Sequence, residues 1–526
     1  MLLVVSLLLG LAGLYIVRWS LGAWKTLKRL PPGPPSKPII GNLLDLPSPG
    51  TPDWLHWLKH KALYGPISSV TIFGQTLVII NDHQVVVDLM EKRSGLHSSR
   101  PHLPIAEITD WKDTLGLLPY NSWFRAYRKA LHQEMGTIAS ISKYHNIIDM
   151  ETHRLVFRIL DNPDDLIQHI RKEAGSIILR VGYGYITESH ARDPLVDLVD
   201  KGMEDFSQLV LPGAWLVNFI PILKYLPSWF PGSGWQETAK AYKKRVTAMR
   251  DVPYEFVRRQ LKQQKYVPSY VSSLLEQGHV EPGSEEEIVA KWSAQSLYGG
   301  GAETSVSSLA CFFQAMVLNP EVQKKAQEEI DRVVGTSRLP EMSDCESLPY
   351  INAVVKEVLR WHPVTPLGVS HASSEDDTYE GYLIPKGAIL VPNIWAIAHD
   401  PDLYHDPLEF KPERFLSDNG RTPEYDPHLL AFGFGRRICP GQHLADANLY
   451  LAVARCLAVF NITNAVRDGK EVPVTPEFST GVISHPVPFE LSICVRSPEH
   501  ERLIRAVEKS FPWEKSHAEE LTLLET

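Results

Sequence analysis

A cysteine set in a glycine-rich loop just ahead of a helix constrains this chain more than any other feature. The run Phe432-Gly-Phe-Gly435-Arg-Arg437-Ile-Cys439-Pro-Gly441 fits the pattern F-x-x-G-x-R-x-C-x-G at all five fixed positions. Chance gives that match in a chain of this length with a probability on the order of 10⁻⁴. A thiolate bound to haem iron needs a loop whose backbone can approach the porphyrin, and Gly435 and Gly441 have no side chain to obstruct it. Pro440 is placed to be the first residue of the following helix, whose positive end and free N–H groups stabilise a thiolate. Phe432 can pack beside the sulfur, and Arg437 can pair with a haem propionate. The bland alternative is a buried structural cysteine in a turn, the usual fate of a cysteine; the five-position match outweighs it.

The remaining cysteines, Cys311, Cys345, Cys456 and Cys494, are scattered without CxxC spacing, which excludes a disulfide framework and a zinc site. A net charge of −9 gives no overall attraction to nucleic acid. The N-terminus departs from ordinary globular composition: Leu2 to Val17 carry no charge, and the apolar run continues past Arg18 to Trp24. That length spans a bilayer. Arg18, Lys25, Lys28 and Arg29 all follow the apolar core, the reverse of a cleaved signal peptide, so residues 1–24 are expected to be a retained transmembrane anchor. The positive-inside rule places the rest of the chain in the cytosol, on an endoplasmic reticulum membrane crossed once.

Residues 25–36, basic and then Pro31-Pro-Gly-Pro-Pro35, read as a stiff hinge. Residues 37–498 show no repeat or second linker and read as one catalytic domain, followed by a charged tail at 499–526. Helical periodicity dominates, with clear segments at Glu286 to Val317, Glu321 to Val333 after Asn319-Pro320, Tyr350 to Trp361, and Gly441 to Phe460. Strand patterns are few: Ile67 to Phe73, Thr76 to Ile80, Thr378 to Ile384 and Ile389 to Pro392. The expected class is mainly α with small β-sheets.

With the cysteine loop, further motifs stand in the order found in cytochromes P450, which the chain resembles over nearly its whole length. Gly300-Gly301-Ala302-Glu303-Thr304 interrupts a long apolar helix. Three glycines from 299 each cost a helix interior about 1 kcal/mol, which suggests that room is needed beside it for haem and O₂. The resemblance implies that Thr304 holds the bound oxygen and that Glu303 helps relay protons, as the catalytic pair. Glu357-Val-Leu-Arg360 matches ExxR, with Arg414 as its downstream partner; the implied role is a structural triad of Glu357, Arg360 and Arg414 behind Cys439. Arg128 is implied as a propionate partner, although the matching register puts Phe124 where the family often has Trp, and Trp123 is one residue away. His371 stands where many members place a propionate-facing Arg or His; the alternative is an ordinary surface histidine.

The cofactor so implied is haem b, with Cys439 as axial ligand and Phe432, Gly435, Arg437, Gly441, Arg128 and His371 around it. The implied reaction is insertion of one oxygen atom from O₂ into a small apolar substrate. No GxGxxG follows a strand, so electrons from NADPH are expected through a separate flavoprotein reductase. Apolar stretches at Leu96–Tyr120, Phe206–Trp235, the helix just before Gly300, Val364–Val369 and Phe478–Ser484 are substrate-facing regions, or core. The apolar segment from Phe219 to Phe230 is also suited to dip into a membrane surface. The motifs look like those of fungal secondary-metabolism members, whose substrates include terpenoids and polyketides. The other readings are a haem-thiolate isomerase or dehydratase, which commonly lacks the Thr304 alcohol, and a non-catalytic haem-binding protein.

Overall fold

The computed structural model describes residues 28–522 except 49, 212, 279, 418, 419 and 421. The expected anchor, residues 1–24, lies outside the described residues; among these, no helix is long and apolar enough to cross a membrane. The chain forms two units, one of residues up to Pro101 with Ser370–Asn393, the other of His102–Val369 with Ile394 onward.

The smaller unit is built on a sheet. Helix α1 (Asp53–Tyr64) precedes β1 (Ile67–Ile72), which pairs antiparallel with β2 (Gln75–Ile80) through a two-residue turn. Both turn residues, Phe73 and Gly74, have positive φ, the geometry that matches the twist of a tight hairpin. The strands β3 (His371–Ala372), β4 (Asp377–Tyr379), β5 (Tyr382–Ile384) and β6 (Ile389–Pro392) follow. The four-stranded order is β1-β2-β6-β3, with β2 and β6 parallel, while β4 and β5 form a separate hairpin. Val78, Ile79 and Ile80 are fully buried, because a strand in mid-sheet has both faces covered.

The proline-rich run is fastened to this sheet. The Ser69 N–H donates to the Pro32 carbonyl at 2.9 Å, and the Ser69 hydroxyl to the Pro31 carbonyl at 2.6 Å. A Cβ on Gly33 would stand 1.9 Å from the Ser69 carbonyl oxygen, so glycine is the residue that lets the two backbones touch. The proline-rich run is thus tied to β1 at Ser69 by a backbone and a side-chain hydrogen bond.

The larger unit is helical: α2 (Ser122–Met135), α3 (His145–Asp161), α4 (Leu166–Tyr183), α5 (Pro194–Val210), α6 (Trp235–Lys262), α7 (Tyr270–Gln277), α8 (Glu285–Leu318), α9 (Pro320–Val333), α10 (Pro349–Trp361), α11 (Gln442–Val459) and α12 (Pro498–Arg505). Helix α8 starts where the Ser284 hydroxyl accepts the Glu287 N–H at 3.1 Å, and it stops at Asn319-Pro320. It is apolar on all sides and packs against α2, α4, α5, α10 and α11, as expected of a helix that crosses a core. Two small antiparallel pairs complete the unit, β7 (Phe460–Asn464) with β10 (Leu491–Val495), and β8 (Val466–Arg467) with β9 (Lys470–Glu471).

The charged C-terminal segment packs rather than trailing. Ile504 and Val507 are buried, and the Trp513 ring lies beneath the Arg154 and Arg158 guanidiniums of α3, at 5.0 and 5.5 Å. Glu514 pairs with Arg180 on α4. These opposite charges sit on helices far earlier in the chain, so charge density alone gives no sign of the packing.

Candidate functional site

The residues from Phe432 to Gly441 join a four-residue helix, His428–Ala431, to α11. Gly433 and Gly435 take left-handed φ of 79° and 52°, a region costly for residues with a Cβ. The Cys439 N–H closes the loop on the Phe432 carbonyl at 2.8 Å. From α2, Arg128 Nη1 donates to the Ile438 carbonyl at 2.6 Å, next to the cysteine.

Helix α11 begins at Gln442 with Gly441 as its cap, one residue after the expected start at Gly441 and two after Pro440. Pro440 belongs to the turn instead, and this turn aims the Gly441 N–H at the Cys439 sulfur. Burial pushes the Cys439 thiol up, while the Gly441 N–H and the Arg128 charge pull it down. Cys439 is half-buried as a residue, and its thiol lies in a desolvated setting. An enclosed thiol is a poor anion on its own; a bound metal cation reverses that balance.

Arg437 is buried and donates through Nη1 to the Leu115 carbonyl at 3.2 Å and through Nη2 to the Leu118 carbonyl at 2.6 Å. Its guanidinium stands 3.8 Å from the centre of the Phe124 ring. Phe124 is thus the buried aromatic beneath Arg437, and Trp123 beside it is half-buried. His371 belongs to the smaller unit, where it is buried with Nδ1 2.7 Å from the His97 carbonyl; it is not a surface histidine.

The three glycines of α8 meet different needs. A Cβ on Gly301 would lie 2.5 Å from Ile178 Cδ1 of α4, and one on Gly299 would lie 3.1 Å from Met203 Sδ of α5. These two let helices approach closely. Gly300 alone faces space: it is exposed, and a Cβ there would meet nothing within 4 Å. Thr304, one turn on and half-buried, donates from its hydroxyl to the Gly300 carbonyl at 2.7 Å.

Glu303 is buried, with its Oε1 3.7 Å from Arg171 Nη2 of α4 and 3.3 Å from His485 Nε2. Arg171 also reaches Asp200 of α5 at 3.6 Å. Burial, and then Arg171, push His485 down to about 4, so at neutral pH its contact with Glu303 is not an ion pair. Burial and the Asp200 charge push Glu303 up to about 7 against the pull of Arg171. Its unperturbed value is 4.5. Between those values the native state holds a proton that the unfolded chain releases, so stability falls as pH rises through that window. Glu303→Gln is expected to flatten this slope. Thermal unfolding across the window measures it, and an undiminished slope would place its source elsewhere.

Glu357, Arg360 and Arg414 come together completely buried or nearly so. Arg360 donates through Nε and Nη2 to the two Glu357 carboxylate oxygens at 2.7 and 2.9 Å, and Arg414 Nε donates to Oε1 at 3.2 Å. The Lys411 N–H adds a bond to Oε1 at 2.7 Å. Arg360 also donates to the carbonyls of Ala398, Pro407 and Glu409, so the buried charge is matched on every side.

A desolvated thiol beside Gly441, where a Cβ would meet nothing within 4 Å, and a helix with one open glycine at Gly300 leave room of the kind a flat iron-holding macrocycle needs. The family model for cytochrome P450 matches residues 31–493. The chain is a cytochrome P450. Membership makes it an oxygen-using oxidoreductase and implies a haem with a cysteine-thiolate ligand. Among its relatives, cytochrome P450 monooxygenase ppsD of Aspergillus oryzae is 71% identical over 526 residues, the full length of both chains. Cytochrome P450 monooxygenase claR of Ampulloclitocybe clavipes is 48% identical, covering 95% of this chain and 91% of its own. O-methylsterigmatocystin oxidoreductase of Aspergillus flavus is 44% identical, covering 98% and 96%.

Sequence reasoning missed Arg171, Asp200 and His485 around Glu303. No local signal marks them, because α4, α5 and the segment after β9 meet only in the folded chain.

Proposed function

We propose that this P450 inserts one oxygen atom from O₂ into a small, largely apolar secondary metabolite, with electrons from NADPH delivered by a separate flavoprotein reductase. The observation that carries this reading is the open stretch of α8, where exposed Gly300 is followed one turn later by the Thr304 hydroxyl. In it, Cys439 holds haem b, and the bound haem supplies the activation of O₂. Gly441 and Arg128 stabilise the Cys439 sulfur as an anion. Thr304 offers a hydroxyl that can turn from the Gly300 carbonyl to donate into the open space. Glu303, poised near neutrality, exchanges protons with solvent past Arg171 and Asp200. Support for a secondary-metabolite substrate comes from the relatives, one of them named for O-methylsterigmatocystin.

The test is co-expression with a P450 reductase and a panel of apolar terpenoid and polyketide precursors, scored by mass for added oxygen. Thr304→Ala is expected to keep haem while product per NADPH falls at least about tenfold, the electrons going to peroxide or water. Equal yield in that variant would refute the role of Thr304, and products that form without NADPH or reductase would refute monooxygenation.

The proposed location is the endoplasmic reticulum membrane, with the catalytic part in the cytosol. Support comes from the uncharged run Leu2 to Val17 and from exposed Ile222, Tyr225 and Trp229 in the segment before α6. A chain lacking residues 1–24 is expected to stay partly in the membrane pellet. Serine at those three positions is expected to release it, since each loses about 1.5–3 kcal/mol of apolar burial. Unchanged partition would remove this segment from the membrane surface.

A further inference from the structure

The Cys439 loop is bounded on both sides by acids that share one histidine. Just before it, Asp426 Oδ1 lies 2.7 Å from His428 Nδ1 and also accepts the His428 backbone N–H at 3.0 Å. Just after it, Asp446 Oδ1, near the start of α11, lies 2.9 Å from His428 Nε2. With a carboxylate on each ring nitrogen, the imidazole must carry two protons to satisfy both. Burial opposes that charge, but the bonds to Asp426 and Asp446 outweigh it and push His428 up to about 9. The other Asp426 oxygen accepts from Lys356 Nζ at 2.7 Å, and Lys356 on α10 immediately precedes Glu357 of the buried triad. The His428 ring lies nearly parallel to that of Phe432, tilted by 19° with centroids 5.8 Å apart. Phe432 is the residue whose carbonyl receives the Cys439 N–H.

We infer that His428 is a positioning residue for the iron ligand: held between Asp426 and Asp446, it clamps the two ends of the Cys439 loop together and packs on Phe432, whose carbonyl receives the Cys439 N–H. The cluster sums to no net charge, two carboxylates against His428 and Lys356, so its effect is mechanical restraint rather than a field at the iron. Without the clamp, the segment before the loop and the start of α11 are no longer tied through His428, and the sulfur is held by the Cys439 N–H bond to Phe432 and by Arg128 and Arg437. The expected defect is therefore specific: the thiolate is more readily lost to a protonated, poorly bound thiol while the rest of the domain stays folded.

This inference rests on Cys439 as the haem ligand, and the experiment separates the two. The full-length holoenzyme, His428→Phe and Asp446→Asn are reduced under carbon monoxide in mild denaturant. The decay of the long-wavelength Soret band of the thiolate form into the shorter-wavelength band of the neutral-thiol form is then timed. Both variants are expected to decay about tenfold faster than wild type. Ile462→Val, a buried position on β7 away from the loop, serves as a control that lowers stability without touching the clamp; its decay is expected to match wild type. Should His428→Phe not accumulate, Asp446→Asn, which keeps the ring and the Asp426 bonds, carries the comparison. Wild-type decay in the variants, or equal acceleration in Ile462→Val, overturns the clamp. Absence of the long-wavelength band in wild type overturns the ligand assignment, and the clamp with it.

Discussion

Glu357→Ala is expected to abolish accumulation of folded, haem-loaded protein. The carboxylate is fully buried and is the shared acceptor of Arg360, Arg414 and the Lys411 N–H. Its removal leaves the Arg360 guanidinium in the interior without an anion, while Arg414 keeps only Glu424, 2.6 Å from its Nη1. Breaking a buried pair in this way costs about 3–5 kcal/mol, a large part of the ~5–15 kcal/mol that holds a typical domain together. Arg360 cannot escape to solvent, since it also ties the carbonyls of Ala398, Pro407 and Glu409. Arg360→Lys is expected to be nearly as damaging, because an ammonium has three donors on one atom and cannot reach five acceptors in a plane. An exposed pair supplies the contrast: Arg502→Ala breaks a contact with Glu499 on the surface of α12 and is expected to change stability by less than about 1 kcal/mol. Holoprotein yield and the thermal midpoint decide it. A Glu357→Ala variant with wild-type midpoint would mean that the triad is dispensable.

The helical architecture was legible because its signals are local. Asn319-Pro320 separates α8 from α9 and Pro363 follows the end of α10, and the observed helices Pro320–Val333 and Pro349–Trp361 begin within one residue of the expected Glu321 and Tyr350. The long apolar run of α8 was legible for the same reason. What escaped was decided by contacts across long sequence separations. Gly301 packs on Ile178 and Gly33 on the Ser69 carbonyl, close approaches that the sequence does not show, while Gly300 faces open space. Pro440 fell outside α11 because a proline after a cysteine equally suits a helix opening and a turn, and the loop geometry chose the turn. The Cys439 loop was legible as a motif, but the carboxylates that hold His428 were not: Asp426 and Asp446 are ordinary acids until α11 folds back beside the loop.

Cys439→Ala is expected to fold and to lose every thiolate signature. The bonds that shape the loop do not pass through the sulfur: the backbone N–H of residue 439 meets the Phe432 carbonyl, and Arg128 holds the Ile438 carbonyl. Alanine keeps both, and it removes a thiol that burial already disfavours as an anion. The cost to the fold is therefore small, while the cost to the iron site is total, because no other cysteine stands in this loop and Cys311 and Cys456 are buried within α8 and α11. Difference spectra of the reduced protein with carbon monoxide are expected to lack the long-wavelength Soret band, and product formation with a reductase is expected to fall by at least about 10³-fold, since the electron-donating thiolate is what favours O–O cleavage in this class of haem protein. Far-UV circular dichroism is expected to be unchanged, which separates loss of the ligand from loss of the fold. A variant that kept the long-wavelength band would move the iron ligand to another residue, and with it the role of the Gly441 N–H and Arg128 at the sulfur.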